Sequence, residues 1–161
     1  LPEPDFRALL ARQLDAVPYA RGVNNHMGSE LTRQPEAMAW LMSELVRREL
    51  YFVDSRTTAE TVAAASAREA GVPHLSRRVF LDNNPSEEAI EERFEYAIAE
   101  ARRLGVAVAI GHPYPETMAF LQRVLPTLGE RSIRLAWVSE RADLNGAGYP
   151  APIPVVDGVD Q

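Results

Sequence analysis

Residues Val106–His112 read VAVAIGH, an apolar run that closes on a glycine and a histidine. A continuous apolar run of this kind is typical of a strand buried on both faces of a parallel sheet. Three other runs also end in polar residues, and each is followed by a helical segment: ARGVNNH (Ala20–His26), LYFVDSR (Leu50–Arg56) and VFLDN (Val79–Asn83). The alternation predicts an α/β fold in which a parallel sheet alternates with helices.

The segments around these runs carry helical signals. Apolar residues recur at helical spacing in the predicted helices, which are Leu1–Val17, Pro35–Glu49, a segment that follows Thr57-Thr58 and runs to Ala70, Glu87–Leu104 with Ser86 as its N-cap, and Pro115–Leu128. A fifth strand is predicted at Ile133–Ser139, and Trp40 and Trp137 are expected to pack in the interior. Residues 1–141 then make one domain, and residues 142–161 make an extended or disordered tail.

Composition excludes several classes of function. The chain has 161 residues, a net charge of −6 and no cysteine. An acidic chain without a block of basic residues is not expected to bind nucleic acid. The lack of cysteine excludes disulfides, thiolate nucleophiles and cysteine-ligated zinc. No apolar run reaches the length of a membrane-spanning helix, so no membrane span is predicted.

The polar ends of the predicted strands form the candidate site. In a parallel sheet the carboxyl ends of the strands lie along one edge, where ligands bind. His26, Asp54, Asp82 and His112 each stand at such an end, so we expect them to lie along the same edge. This shared position favours a functional site more strongly than any single motif in the chain.

Two of these residues are histidines. His26 follows Asn24-Asn25, whose amides can fix its tautomer, and a neutral imidazole so placed is a good metal ligand. His112 lies between Gly111 and Pro113, and a histidine there can act as a general acid. A purely structural role remains the alternative for both. His74 follows a Gly-Val-Pro turn and is predicted to be structural, at the opposite end of the sheet.

The two aspartates are more ambiguous. Asp54 could orient a histidine or assist proton transfer, with Arg56 keeping it ionised, or the pair could simply cap the next helix. Asp82 precedes Asn83-Asn84-Pro85, which is also an ordinary turn sequence.

Four blocks of the sequence resemble the divergent polysaccharide deacetylases. They are GVNNHMGS (residues 22–29), FVDSRT (52–57), RVFLDN (78–83) and AIGHP (109–113), in order and at suitable spacing over residues 1–139. The resemblance implies a distorted (β/α) barrel and metal-dependent hydrolysis of N-acetyl groups on a sugar polymer of the bacterial envelope. It places the protein in the periplasm or at the cell envelope.

The resemblance also implies roles for individual residues. His26 would bind a divalent metal, most simply zinc, and His112 would protonate the leaving amine. Asp54 and Arg56 would support His112, and Asn25 and Asp82 would bind substrate. That family begins with a strand that ends in paired aspartates and a further strand that carries a His-Leu-Pro-Met block, and neither is present in this chain.

The expected domain is therefore an incomplete deacetylase-like barrel, and whether this piece alone is active stays open. Its unpaired edge strand would allow self-association. The alternative is a non-catalytic envelope module that binds glycan or protein on the same fold.

Overall fold

The structure, a computed structural model, describes residues 1–142. Its helices are α1 (Glu3–Asp15), α2 (Ser29–Thr32), α3 (Pro35–Arg47), α4 (Ala63–Ala70), α5 (Glu87–Leu104), α6 (Pro115–Val124) and α7 (Val138–Ala142), with a 3₁₀ helix at Leu125–Arg131. Its strands are β1 (Gly22–Asn24), β2 (Tyr51–Asp54), β3 (His74–Ser76), β4 (Val79–Phe80) and β5 (Ala109–Ile110). All strand pairs are parallel and helices alternate with the strands, which confirms the predicted fold class.

The described strands form two sheets, β1-β2-β3 and β4-β5, which make part of a barrel that does not close. The extended segment from β3 to β4 connects them, with Val53 opposite Leu75 in the first sheet and Val79 opposite Ala109 in the second. At the junction, Arg77 N–H donates to the Asp54 carbonyl at 2.8 Å. Because the strands of each sheet are parallel, the carboxyl ends of the strands in each sheet lie on one edge of that sheet.

Two hydrophobic clusters cover the sheets. The first cluster joins α3, α4 and β2 around the buried residues Met38, Met42, Leu45, Phe52 and Ala67, and α1 packs on its outside. The second cluster joins β4, α5, α6 and the 3₁₀ helix around Val79, Ile90, Phe94, Phe120 and Leu128. Helix α7 packs against β2 and β3 and buries Ala142 completely.

Local signals set the ends of several helices as predicted. Pro35 and Pro115 stand in the first turns of α3 and α6. Ser86 Oγ accepts a hydrogen bond from the Ala89 N–H at 3.3 Å, so Ser86 is the N-cap of α5. Gly105 ends the same helix with a φ of 82°, a left-handed conformation that favours glycine.

Two predicted strands differ in the structure. Only Ala109 and Ile110 of the run that begins at Val106 pair with β4, and Ala109 is exposed. The segment predicted as a fifth strand, Ile133–Ser139, is not a strand: residues 133–137 are irregular and α7 begins at Val138. Without a neighbouring strand among the described residues to pair with or cover it, Trp137 is 77% exposed rather than in the interior. Trp40, by contrast, is partly buried and packs against Phe6 with ring centroids 5.7 Å apart.

Two further boundaries are corrected. His74 was expected to precede a strand, but it begins β3, where its Nδ1 lies 2.9 Å from the Val72 carbonyl oxygen. Helix α4 begins at Ala63 instead of following Thr58 directly, because Asp54 and Thr61 hold the intervening residues in a loop. None of the helices in residues 1–142 is long and apolar enough to cross a membrane. The predicted tail lies outside the described residues, apart from Ala142, which belongs to α7.

Candidate active site

The ends of β4 and β5 bring Asp82 and His112 into direct contact. The His112 Nδ1 lies 3.0 Å from Asp82 Oδ1, and the His112 backbone N–H donates to Oδ2 of the same carboxylate. The Asp82 side chain has no exposed surface, whereas 39% of the His112 side chain is exposed. An ionised carboxylate only accepts hydrogen bonds, so Nδ1 carries a proton and Nε2 is the imidazole nitrogen left for a ligand.

Helix α6 fixes the second oxygen of this carboxylate. The Thr117 Oγ1–H donates to Asp82 Oδ2 at 2.9 Å, and Thr117 is itself buried. Gly111 passes so close that a Cβ there would lie 3.1 Å from Asp82 Oδ2 and 3.3 Å from Thr117 Cγ2. A side chain at this position would require Asp82 or Thr117 to move by a few tenths of an ångström.

The hydrogen bonds around Asp82 decide its ionisation. Burial is the largest single effect and opposes the charged form. The hydrogen bonds from the His112 backbone, the His112 side chain and Thr117 outweigh it together, so the pKa of Asp82 is lowered. The carboxylate is therefore negative at neutral pH and accepts the hydrogen bond from His112 Nδ1–H.

Two aromatic rings restrict the plane of the imidazole. Phe80 stacks on His112 with centroids 6.0 Å apart and planes 11° apart. Tyr114 stacks on it at 5.1 Å and 28°, and Tyr114 is 44% exposed. Together with Asp82, these rings leave the imidazole little freedom to rotate.

Asp54 lies in a different set of contacts. Its buried carboxylate accepts hydrogen bonds from the Arg56 backbone N–H at 2.8 Å and from Thr61 Oγ1–H at 3.1 Å. The Arg56 guanidinium forms no ion pair with it in the described chain. Asp54 thus organises the loop after β2, and the carboxylate that holds His112 is Asp82 rather than the predicted Asp54 and Arg56.

The residues predicted to bind substrate and metal make contacts that differ from one another. Asn25 Oδ1 accepts a hydrogen bond from the Ser55 N–H at 2.8 Å, which ties the end of β1 to the end of β2. Asp82, predicted to bind substrate, is buried and contacts His112 instead. His26 is exposed, and its ring has no hydrogen-bond partner within residues 1–142.

The described residues do not assemble a metal site. The described part of the chain contains no group of three or more histidine, cysteine, aspartate or glutamate side chains that could hold a metal ion. Residues 1–142 alone therefore do not fit the divalent ion that the sequence resemblance implies, and His26 would need ligands beyond them.

A largely apolar cavity of about 770 Å³ adjoins His112. It is lined by residues of β3, α5, β5, α6 and the segment before α7, among them Leu75, Leu81, His112, Thr117 and Trp137. A volume of this size can hold a small ligand. The imidazole at its margin is the only histidine among its lining residues.

Several residues of the site were not predicted from the sequence. Thr117 and Tyr114 follow His112 in the sequence GHPYPET, but neither stands at a strand end, and strand ends were the signal used. The sequence predicts Phe80 only as part of a strand, and nothing in it separates Arg77 from the arginines of a solvated surface. A buried threonine one turn into a helix after a strand-end histidine is a signal that could have identified Thr117.

Comparison with known proteins gives the chain a family. A sequence model of the divergent polysaccharide deacetylases matches residues 1–142. An uncharacterized protein of Haemophilus influenzae is 46% identical over 111 residues, which are 69% of this chain and 40% of that protein. The uncharacterized protein YibQ of Escherichia coli strain K12 is 41% identical over 124 residues, or 77% of this chain and 39% of YibQ.

The fold has a counterpart among solved structures. The crystal structure of the uncharacterized protein ATU2773 from Agrobacterium tumefaciens C58 matches with a TM-score of 0.72 at 25% sequence identity. The match covers 74% of this chain and 49% of that chain. The present chain thus spans about two fifths of the length of the curated relatives that it matches and about half of the solved one.

Proposed function

Because this chain belongs to the divergent polysaccharide deacetylase family, we propose that it contributes the acid–base half of a carbohydrate deacetylase site. The reaction is hydrolysis of an N-acetyl group on a polymer of the bacterial cell envelope, in the periplasm or at the envelope surface. The single observation that supports this is the Asp82–His112 pair at the ends of β4 and β5, with a partly exposed imidazole.

In this proposal His112 is the general acid and Asp82 positions it. Asp82 keeps a proton on Nδ1, so the Nε2–H of the protonated ring points away from the carboxylate. Breaking the amide C–N bond leaves a nitrogen that must be protonated, and Nε2 supplies that proton. Phe80 and Tyr114 hold the ring in plane while the proton moves.

The water that attacks the acetyl carbonyl needs separate activation. A divalent ion, zinc as predicted from the resemblance, would act as Lewis acid toward it when bound. The described residues do not form such a site, so we assign no step to the metal. Its proposed ligands are His26 and groups outside residues 1–142, and Asn25 remains a proposed substrate contact.

The proposal is tested by acetate release from N-acetylated oligosaccharides, using this chain and a version extended to the length of its relatives. In the active form, His112→Ala should lower kcat by about 10²- to 10⁴-fold, the usual contribution of general acid catalysis. Asp82→Asn should also lower kcat, because an amide no longer holds the Nδ1 proton and the imidazole ring as the carboxylate does. The rate should fall as pH rises and the imidazolium loses its proton.

His74→Gln is the matched control, because His74 contacts the Val72 carbonyl and not the candidate site. It should retain the wild-type rate. Release of acetate by His112→Ala at the wild-type rate would contradict the acid role. Metal content measured on both lengths, with and without His26→Ala, tests the metal ligand directly.

A non-catalytic module that binds glycan or protein is the second candidate. It is favoured by the lack of a metal-ligand group within residues 1–142. If neither length of the protein releases acetate or retains metal, while both bind the oligosaccharide, the binding module is the correct interpretation.

A further inference from the structure

Two arginines contact Phe80, which itself stacks on His112, and a third arginine contacts one of them. The Arg77 guanidinium lies over the Phe80 ring with its Cζ 4.4 Å from the centroid. The Arg93 Nε–H donates to the Phe80 carbonyl oxygen at 3.4 Å. Arg56 adjoins them, because its carbonyl oxygen accepts a hydrogen bond from Arg77 Nη2 at 2.6 Å. We call Arg56, Arg77 and Arg93 the arginine cluster.

The arginine cluster lacks the carboxylate partners that other arginines of this chain have. Within residues 1–142, the arginines that form ion pairs with aspartate or glutamate are Arg7, Arg33, Arg47, Arg48, Arg103, Arg123, Arg131 and Arg134. No member of the cluster forms such a pair in this part of the chain. In a protein with a net charge of −6, this is a local excess of positive charge.

The positions of α5 that neighbour Arg93 on the helix surface carry no acidic residue. The helix contains six glutamates, Glu87, Glu88, Glu91, Glu92, Glu95 and Glu100. The positions three and four residues from Arg93 are its neighbours on the helix surface, and they are Ala89, Ile90, Tyr96 and Ala97. Arg93 instead lies over the Tyr96 ring at 5.2 Å. Arg93 is exposed and forms no ion pair within residues 1–142, so donors other than its Nε–H can bind an anion from outside.

The charges of the cluster act on each other. The pKa of Arg77 is lowered to about 10, first by burial and then by the positive charge of Arg56, with a smaller effect from Arg93. The Asp54 charge opposes this shift without cancelling it, and both oxygens of Asp54 already accept hydrogen bonds. A bound anion would offset the repulsion that Arg56 and Arg93 exert on Arg77.

We propose that the arginine cluster is an anion subsite for the acidic substituent, a carboxylate or a phosphate ester, of the sugar polymer that reaches His112. Guanidinium groups suit this role because their planar donors match carboxylate and phosphate oxygens. The identification of the ligand as part of the substrate rests on the proposed function, whereas anion binding itself does not. The proposed substrate class is thereby narrowed to an acidic glycan.

Arg77 also has a structural role, since its Nε–H and Nη2–H bind the carbonyls of Ser55 and Arg56. Its substitution would therefore disturb the loop after β2. Arg93 is exposed and is the better probe, and Arg12 on α1 is a matched control because it is exposed and has no ion pair within the described residues.

The first experiment follows binding of glucuronate, glucose 6-phosphate and glucose to the chain by NMR. Both acidic sugars, or one of them, should perturb the signals of Phe80, Arg93 and His112, whereas glucose should not. Which acidic sugar binds more tightly distinguishes a carboxylate from a phosphate ligand. Arg93→Gln should weaken binding by about two- to fivefold, as expected for one exposed charge pair, and Arg12→Gln should not change it.

Equal perturbation by glucose, or unchanged affinity in Arg93→Gln, would overturn the subsite. Neither NMR readout depends on hydrolysis. Failure of the deacetylase assay would therefore not decide whether the arginine cluster binds an anion. Where the active form releases acetate, Arg93→Gln should raise KM for an acidic oligosaccharide without changing KM for a neutral one. An equal rise for both substrates would also overturn the proposal.

Discussion

Gly111 shows how one backbone position sets the geometry of the candidate site. The residue lies directly before His112, and Asp82 Oδ2 and Thr117 Cγ2 both approach the place that a Cβ would occupy. Its lack of a side chain lets the turn after β5 pass over the buried carboxylate. The His112 N–H can then donate to Asp82 while the imidazole contacts the other oxygen.

We predict that Gly111→Ala displaces Asp82 or Thr117 and destabilises the protein by about 1–3 kcal/mol, the usual cost of forcing an added methyl group against close neighbours. The displacement should also change the NMR signals of the His112 ring. Urea unfolding measures the first effect and the ring signals the second.

Gly129→Ala is the matched control, because a Cβ at Gly129 would meet no atom within 4 Å. The free energy of unfolding of this variant should stay within about 0.5 kcal/mol of the wild type. A Gly111→Ala protein as stable as this control would show that the turn can move aside at little cost.

Sequence alone located His112 and Asp82 but not the contact between them. Strand-end positions predict that such residues share an edge, yet they do not say which carboxylate reaches which histidine. The answer depends on which strands are neighbours: β4 pairs with β5, so Asp82 meets His112, whereas β2 pairs with β1 and β3. Asp54 is therefore left to organise its own loop.

At the scale of elements, α1 and α3 are joined by a charged network at their exposed ends. Arg48 on the end of α3 contacts Asp15 of α1 at 2.6 Å and Glu44 at 2.6 Å. Glu44 also binds Arg47. The hydrogen bond from Arg47 is the largest effect on Glu44 and, with Arg48, it lowers the Glu44 pKa from 4.5 to about 2.

This shift predicts a specific acid sensitivity. A carboxylate whose folded pKa is depressed stabilises the protein above its unfolded pKa, and that contribution is lost as pH falls through the folded pKa. The Glu44 contribution should therefore be complete above pH 4.5 and lost progressively toward about pH 2. Glu44→Gln should lower stability at neutral pH and make the acid limb of the stability curve less steep.

Urea unfolding at a series of pH values measures both effects. Glu69→Gln on α4 is the control, because Glu69 is exposed and has no ion pair within the described residues. Its stability curve should follow that of the wild type. An unchanged acid limb in Glu44→Gln would mean that the network contributes nothing to folding.

The helices were predicted better than the strands for a physical reason. A helix forms its hydrogen bonds within its own sequence, so Pro35, Ser86 and Gly105 mark helix ends correctly. A strand needs a neighbour. The apolar segment at Ile133–Ser139 has the composition of a strand but meets no partner strand among the described residues, and β3 forms only because β2 lies beside it.

For the whole molecule, the consequence of the partial barrel is a core in two parts. The first cluster lies over β2 with α3 and α4, and the second lies over β4 with α5 and α6. The covalent segment from β3 to β4 and the Arg77 hydrogen bonds connect the halves near the candidate site. No buried residue belongs to both clusters within residues 1–142.

This division predicts that mutations in the two clusters act independently. Leu45 in the first cluster and Ile90 in the second are both fully buried. Leu45→Ala should cost about 2–5 kcal/mol and Ile90→Val about 0.5–1.5 kcal/mol. The double variant should lose the sum of the two within about 0.5 kcal/mol, because the sites share no packing partner.

Two residues of the first cluster provide a control double-mutant cycle. Met42 lies in the same cluster as Leu45, so Met42→Ala and Leu45→Ala create a cavity in the same part of the core. Their effects on the free energy of unfolding should therefore not be additive. If Leu45→Ala and Ile90→Val coupled as strongly as this pair, the sheets would have to share a single core. Additivity across the sheets with coupling inside one of them would instead leave the connection between the halves to the β3–β4 segment, the Arg77 hydrogen bonds and the packing of α7 on β2 and β3.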